Sequence, residues 1–141
     1  MSGQELSQLN HCVYSLRYHL VLVTKYRRAV LSDAMLHHLE RTARERAADW
    51  NGAIHEFNGE VDHLHLLLEL PPTVALAEFV NALKTASSRL LRRDFPELKA
   101  RFREPVLWSR SYFVASCGGA PLEAIRAYIQ AQDRPPGRSG Q

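Results

Sequence analysis

The sequence predicts an α+β domain of the ferredoxin-like class, in which a split β-α-β arrangement forms one antiparallel sheet with two helices on one face. Segments of period-two hydrophobicity alternate with two segments of helical periodicity, in the order β-α-β-β-α-β. A further short helix follows the last strand. The length of 141 residues corresponds to one domain. Because both long helices cover the same face, the opposite face of the sheet is open and can carry functional side chains.

The first predicted strand covers residues 12–24. Its even positions from Tyr14 to Leu22 are all apolar, whereas its odd positions begin with polar residues that include Arg17 and His19. This alternation predicts a strand with one fully buried face.

The first helix and a β-hairpin follow. Ser32 is a suitable N-cap for an amphipathic helix that extends to about Asn51. Residues 53–57 then predict a second strand, residues 58–60 a turn, and residues 61–70 a third strand.

The second half of the chain also alternates between predicted helices and a predicted strand. Thr73 is the expected cap of a second helix, whose apolar side continues to Leu91. Residues 106–116 predict a fourth strand with a break near Arg110, and residues 122–132 predict a terminal helix. We expect a single domain over residues 12–133, a flexible N-terminus over 1–11 and a disordered tail over 134–141.

Composition excludes several classes of protein. The chain is 45% hydrophobic and 23% charged, which excludes global disorder. Two cysteines are too few for a disulfide scaffold or a cysteine-based zinc site. No apolar stretch approaches the roughly 18 residues of a membrane span, and residues 1–12 are too polar for a signal peptide. We therefore expect a cytoplasmic protein without membrane association.

The third strand carries a His-Leu-His sequence. Alternation assigns the leucines at 64, 66, 68 and 70 to the helix-covered core, so His63 and His65 point together at the open face, about 7 Å apart. Two imidazoles on a rigid strand form a platform for a metal ion. A pair of exposed histidines without a role fits the same pattern.

The terminal helix offers two further candidates. Tyr128 and Gln132 are four residues apart and share a helical face. Considered alone, the tyrosine fits a packing residue and the glutamine a solvated one. Two imidazoles and an amide oxygen would nevertheless hold a divalent ion with positions open for substrate. A phenol beside that ion would be a nucleophile toward a phosphoryl group.

Basic residues concentrate in two segments. Between Lys84 and Arg110 eight basic and three acidic residues give an excess of five positive charges, more than the +3 of the whole chain. Such clusters suit a phosphate backbone, although solvated helix faces and turns fit equally well. The candidate DNA-binding residues are Lys84, Arg89, Arg92, Arg93, Lys25, Arg27 and Arg28. Three aromatic residues, Trp108, Tyr112 and Phe113, could stack on unpaired bases or belong to the core.

Taken together, these motifs resemble a known family. The chain is similar to the single-tyrosine HUH transposases, the TnpA-type enzymes of insertion sequences and the related REP-associated tyrosine transposases. The resemblance extends from about residue 14 to 132. It is carried by the opening at 18–27, Asp62 to Leu67, the Lys-x-x-Ser-Ser at 84–88, the segment 107–113, and Tyr128-Ile129-x-x-Gln132. Val61, where a proline is frequent, and residues 117–121 depart from the family pattern.

The resemblance implies a function. Tyr128 would attack single-stranded DNA to give a 5′-phosphotyrosine and a free 3′-hydroxyl, and reversal would rejoin DNA without ATP. His63, His65 and Gln132 would hold Mg²⁺ or Mn²⁺. The expected partners are DNA hairpins at element ends and a second copy of the chain, in a homodimer whose tyrosine helix can act in trans. The expected location is the prokaryotic cytoplasm, in association with the nucleoid.

Two alternatives remain at this point. A non-catalytic, domesticated relative would bind hairpins without forming an adduct, and it would not need all four candidate site residues. A metal-dependent phosphoesterase using water would not need Tyr128.

Overall fold

The computed structural model describes residues 7–9, 12–116 and 122–132. In these ranges the strands are β1 (Ser7–Leu9), β2 (Cys12–Tyr14), β3 (Arg17–Val23), β4 (Ala53–Gly59), β5 (His63–Glu69) and β6 (Phe113–Ser116). The helices are α1 (Asp33–Asp49), α2 (Leu76–Asp94) and α3 (Leu122–Ala131), with short 3-10 turns at Lys25–Arg27 and Pro96–Ala100.

The main sheet has the strand order β4-β5-β3-β6, and every neighbouring pair is antiparallel. Each helix between strands connects two strands that lie apart in the sheet, which is the split β-α-β topology. The structure therefore confirms the predicted ferredoxin-like fold. Within the described residues, no helix is long and apolar enough to cross a membrane.

The two faces of the sheet are chemically distinct. Leu20 and Leu22 of β3 and Leu64 and Leu66 of β5 are buried in one core cluster with the apolar sides of α1 and α2. Val21 and Val23 of β3 point the opposite way and form a separate small cluster. The period-two side-chain alternation of a strand thus assigns one face to the helices and leaves the other to α3.

The first helix begins as predicted, and the second does not. Ser32 caps α1, with its Oγ accepting a hydrogen bond of 3.2 Å from the backbone N–H of Met35. Thr73, the predicted cap of α2, is not its N-cap; Ala75 is, without a side-chain hydrogen bond. The reason is a turn before the helix, closed by a 3.1 Å bond from the N–H of Val74 to the carbonyl of Pro71.

The predicted first strand is divided into two. Cys12–Tyr14 pairs with Ser7–Leu9 in a separate hairpin, and the main sheet begins at Arg17. The predicted fourth strand, 106–116, is regular only in β6, while Trp108 forms an isolated bridge with Thr24. Most of the predicted flexible N-terminus (1–6 and 10–11), the predicted tail (134–141) and the turn at 117–119 lie outside the described residues, whereas β1 lies within the N-terminal segment.

Candidate active site

Helix α3 places Tyr128 on the face of the sheet that α1 and α2 leave uncovered. Tyr128 and Ile129 pack against Val21 and Val23, and the ring centroid of Tyr128 is 5.6 Å from that of Phe113. In the antiparallel register Val21 is paired with residue 65 and Val23 with residue 63 of β5. Because directly paired residues have Cβ atoms about 5 Å apart, the tyrosine lies over the strand next to the two histidines.

The phenol of Tyr128 belongs to a hydrogen-bonded group. Its Oη is 3.0 Å from Ser111 Oγ, and Ser111 Oγ is in turn 3.3 Å from Gln132 Oε1. The Gln132 amide donates to the carbonyl of Tyr128 at 3.2 Å, and Ser109 donates to Gln132 Oε1 at 3.4 Å. A serine hydroxyl has one hydrogen, so when Ser111 donates to the amide it accepts from the phenol.

The surroundings of Tyr128 keep its phenol protonated at neutral pH. Burial raises the pKa of Tyr128, and the hydrogen bonds with Ser111 and Gln132 offset part of that effect. For this oxygen to act as a nucleophile, its proton would have to be removed.

His65 is neutral at neutral pH. Burial lowers its pKa, nearby His19 and His63 lower it further, and Glu56 acts in the opposite direction. His65 Nε2 lies 3.1 Å from Nδ1 of His19, with the ring centroids 5.2 Å apart. A neutral imidazole is the form that binds a metal ion.

His63 is oriented by its neighbour in the chain. Its Nδ1 donates to Asp62 Oδ1 at 2.9 Å, which leaves Nε2 as the ring nitrogen that could bind a metal. The other carboxylate oxygen of Asp62 forms an ion pair with Arg27 Nε at 3.5 Å.

The donor groups on this face fit a divalent cation. Among the residues that the structure describes, no three His, Cys, Asp or Glu side chains form a group able to hold a metal ion. To hold a metal ion, the histidine pair on β5 would need a ligand of another type, and the amide oxygen of Gln132 is of that kind. Imidazole donors favour Mn²⁺ over Mg²⁺. A metal at His65 Nε2 would replace the contact with His19.

The basic residues near α2 line a cavity of about 400 Å³. Lys84, Arg89 and Arg92 are on its wall, together with Trp108. Lys84 donates to the carbonyl of Arg110 at 2.9 Å, and burial lowers its pKa. This cavity therefore combines positive charge with an apolar wall.

A second cavity, of about 420 Å³, lies beside the 3-10 turn. Lys25 and Arg28 line it, and the Arg28 guanidinium lies over the ring of Tyr26 at 5.8 Å and over that of Phe102 at 5.6 Å. The remaining two predicted DNA contacts are paired with acids, Arg27 with Asp62 and Arg93 with Asp94, and neither is among the residues that line these cavities.

The structure assigns roles to three residues that the sequence left open or did not indicate. Trp108, a candidate for base stacking, is 5% exposed, and its Nε1 donates to the buried Ser87 Oγ at 2.9 Å, so both belong to the core. His19 and Ser111 were not predicted as site residues. The alternation of β3 could have placed His19 on the open face, but Ser111 lies in an irregular segment that carries no periodic pattern.

Solved structures place this fold in a class. The chain superposes with a TM-score of 0.84 and 33% identity on the crystal structure of a Deinococcus radiodurans R1 protein assigned as a transposase, covering 92% of this chain and 99% of that one. A REP-associated tyrosine transposase bound to a REP hairpin shares the fold at a TM-score of 0.53 and 11% identity, over 89% of this chain and 70% of that one. The class is that of the DNA transposases.

Sequence comparison gives the family. The IS200-like transposase family model matches residues 12–132. The chain is 35% identical over 120 residues to the ISDra2 transposase TnpA of Deinococcus radiodurans, covering 85% of this chain and 86% of the relative. It is 33% identical over 130 residues to the IS200 transposase of Salmonella typhimurium, covering 92% and 84%. The chain belongs to the IS200-like transposase family, a family of DNA-processing enzymes.

Proposed function

We propose that this transposase cuts and rejoins single-stranded DNA with Tyr128 as the nucleophile. The observation that carries the proposal is the placement of Tyr128 over β3, directly beside the strand that carries His63 and His65. A tyrosine packed for structural reasons alone would have no need of a histidine pair next to it, and a hydrolase using water would have no need of the tyrosine.

The proposed reaction is a transesterification. The phenol oxygen of Tyr128 forms a bond to phosphorus as its proton is lost, and the bond between phosphorus and the 3′-oxygen breaks. That oxygen takes up a proton and leaves as a 3′-hydroxyl, and the DNA remains attached as a 5′-phosphotyrosine. A 3′-hydroxyl of another end reverses the step, so the energy of the phosphodiester is conserved and no ATP is used.

The side chains around Tyr128 have separate tasks. Ser111 hydrogen-bonds the phenol and orients its oxygen, and Phe113 holds the ring. His63, His65 and Gln132 would hold Mg²⁺ or Mn²⁺, which supplies Lewis acidity toward a phosphoryl oxygen when bound. The metal-dependent reaction is expected to fall below about pH 6, where an ordinary imidazole takes up a proton and releases a metal ion. The lowered pKa of His65 moves its own protonation to more acidic pH.

The DNA is proposed to carry a hairpin and to contact the two basic cavities. Lys84, Arg89 and Arg92 line one cavity, and Lys25 and Arg28 line the other. Cationic walls, joined in the second cavity by the partly exposed ring of Tyr26, suit a sugar-phosphate backbone and unpaired bases. The REP hairpin bound by the structural relative supports a hairpin as the ligand.

A denaturing gel tests the chemistry. Labelled single-stranded DNA carrying the element ends, identified from the DNA that flanks the gene, is incubated with Mn²⁺ and the protein. We expect a covalent species with wild type and with Tyr18→Phe, a control tyrosine on the helix-covered face. We expect none with Tyr128→Phe or His63→Ala.

The same gel separates the alternatives. Cleavage that survives Tyr128→Phe would indicate a phosphoesterase using water. Hairpin DNA that is shifted on a native gel but never cut would indicate a non-catalytic binding protein.

We propose a homodimer as the active form. In the single chain α3 packs on its own sheet, against β3. Mixing Tyr128→Phe with His63→Ala tests whether the helix works in trans: activity regained by the mixture would require an intact tyrosine from one subunit and an intact histidine from the other. A mixture as inactive as its components would assign the site to one chain.

A further inference from the structure

We infer that Arg27 and Asp62 are positioning residues for His63, and that the turn at Lys25–Arg27 exists to deliver the Arg27 guanidinium to that carboxylate. The inference rests on the proposed function, in which His63 is a metal ligand. It assigns to Arg27 a role other than the phosphate contact that a basic Lys-Tyr-Arg-Arg segment predicts.

The turn has an unfavourable backbone. Tyr26 has φ 61° and Arg27 has φ 52°, the left-handed region that side chains other than glycine rarely adopt. Two consecutive residues of this kind require support from their surroundings, and such conformations collect at functional sites.

Thr24 supplies that support. The N–H of Arg27 donates to the carbonyl of Thr24 at 2.8 Å, and Thr24 Oγ1 donates to the carbonyl of Arg28 at 2.8 Å. Thr24 is fully buried, although its side chain is polar. The turn is therefore closed from inside the protein.

The same threonine fixes Asp62. The backbone N–H of Thr24 donates to the carbonyl of Asp62 at 3.0 Å, and Thr24 Oγ1 lies 3.2 Å from the same oxygen. Thr24 thus holds both the turn that carries Arg27 and the residue that precedes the histidine strand. A change in the turn would be transmitted directly to Asp62.

The two oxygens of the Asp62 carboxylate have different partners. Oδ2 forms the ion pair with Arg27 Nε at 3.5 Å, and Oδ1 accepts from His63 Nδ1 at 2.9 Å. The Arg27 and Asp62 side chains are 18% and 15% exposed, so the ion pair is shielded from solvent on most sides. Arg27 Nε is buried and makes no hydrogen bond to the residues that the structure describes, so it acts on the carboxylate through its charge. The ion pair favours the rotamer that aims Oδ2 at the guanidinium and Oδ1 at His63, and Oδ1 selects the tautomer of His63 with its proton on Nδ1.

In this tautomer Nε2 of His63 carries no proton, so its lone pair is available to a metal ion. Carboxylate partners of this kind orient a metal-binding histidine and raise its basicity, and their loss lowers metal affinity by about 10–100-fold. Arg28 provides the contrast, because its guanidinium lies over the rings of Tyr26 and Phe102 and lines the basic cavity. Neighbouring arginines thus have separate roles, one in positioning and one on the DNA-facing surface.

The test measures Mn²⁺ binding by calorimetry and the His63 tautomer by long-range ¹H–¹⁵N NMR of the metal-free protein. The variants are Asp62→Asn and Arg27→Met, with Arg28→Met as the matched control and His63→Ala as the reference. We expect Asp62→Asn to weaken Mn²⁺ binding by about 10–100-fold and Arg27→Met by about tenfold. Both variants should reduce the Nδ1-protonated population of His63 and retain binding of hairpin DNA without metal.

Arg28→Met should keep the tautomer and the Mn²⁺ affinity of wild type and weaken DNA binding. The inference is overturned if Arg27→Met keeps the wild-type tautomer and Mn²⁺ affinity but binds DNA more weakly. Should Arg27→Met not fold, Arg27→Gln replaces it: a reduced Nδ1-protonated population of His63 with DNA binding retained supports the positioning role, and an unchanged tautomer with weaker DNA binding contradicts it.

The outcomes also separate this inference from the proposed metal site. If His63→Ala leaves Mn²⁺ binding unchanged, the metal site is wrong, while the tautomer of His63 in Arg27→Met still decides whether Arg27 positions that ring. If His63→Ala abolishes binding and Arg27→Met has no effect on either measurement, the metal site stands and the positioning role fails.

Discussion

Replacement of Ser111 by alanine tests whether the hydrogen bond to Tyr128 contributes to the reaction. Ser111 Oγ is 3.0 Å from the phenol oxygen, and its hydroxyl can turn to donate to the phenolate, so this contact lowers a pKa that burial has raised. Its removal should therefore raise the pKa of Tyr128 further. A smaller fraction of phenolate would then be present at any pH below that pKa, and the adduct should form more slowly.

The magnitude follows from the strength of one neutral hydrogen bond. Such a bond contributes about 0.5–1.5 kcal/mol, and partial exposure of this group favours the lower half of that range. A difference of about 0.5–1 kcal/mol corresponds to about a two- to fivefold lower rate. The rates of Ser111→Ala and wild type should converge at a pH above the pKa of Tyr128.

Two measurements check the prediction. Ultraviolet titration of the chain, with Tyr128→Phe subtracted from wild type, isolates one phenol among the five tyrosines. Single-turnover adduct formation between pH 7 and 9 then gives the rates. Ser109→Ala is the control, because Ser109 donates to the same Gln132 oxygen at 3.4 Å and has Val23 as its backbone partner. The reasoning is refuted if Ser111→Ala leaves both the titration and the rate unchanged, or if Ser109→Ala shifts the titration equally.

Three further predictions concern stability. Ser87→Ala should lower the free energy of unfolding by about 1–3 kcal/mol, because it leaves the buried Nε1–H of Trp108 without its 2.9 Å partner. Gly52→Ala should destabilise the chain by about 1–3 kcal/mol, because a Cβ there would lie 2.5 Å from a backbone carbonyl. Gly59→Ala should destabilise it less, because the atom nearest to a Cβ there belongs to a leucine side chain that can move. Stability should fall below about pH 4.5, and Glu69→Gln should flatten this dependence. Although burial raises the pKa of Glu69, hydrogen bonds from a hydroxyl and an imidazole lower it more, so the unfolded chain takes up the proton first.

Thermal and denaturant unfolding measure all three. Ser88→Ala, a partly exposed neighbour on the same helix, is the control for Ser87→Ala, and equal losses in the two variants would contradict the role of the Trp108 bond. A loss at Gly59→Ala larger than at Gly52→Ala would show that the two positions are not governed by these nearest atoms. If Glu69→Gln and wild type lose stability in parallel between pH 6 and 3, the carboxylate is not the group whose protonation matters.

The architecture was predictable because it depends on local periodicity. Period-two alternation identified the strands, helical spacing identified the helices, and their order admits the split β-α-β arrangement. The same alternation placed His63 and His65 on one face, since neighbours at positions i and i+2 of a strand share a side. These conclusions need only the geometry of single elements.

Features that depend on where the chain turns could not be predicted from periodicity. The first strand is divided at residues 15–16 because Cys12–Tyr14 pairs with β1 outside the main sheet. The α2 cap is displaced from Thr73 to Ala75 by the turn that the Val74–Pro71 hydrogen bond closes. Periodicity carries no information on such bonds, because they involve backbone groups that every residue possesses.

What the sequence by itself determined is the fold, the family and the side of the sheet on which the histidine pair lies. Only the tertiary structure decided which residues meet across elements: Tyr128 over Val21 and Val23, Ser111 at the phenol, and Arg27 at Asp62. The physical reason is the distance along the chain between the residues that meet. Periodicity reports which way a side chain points within its own element, whereas the contacts of the site join residues about 20 to 110 positions apart, whose proximity is fixed by strand register and helix packing.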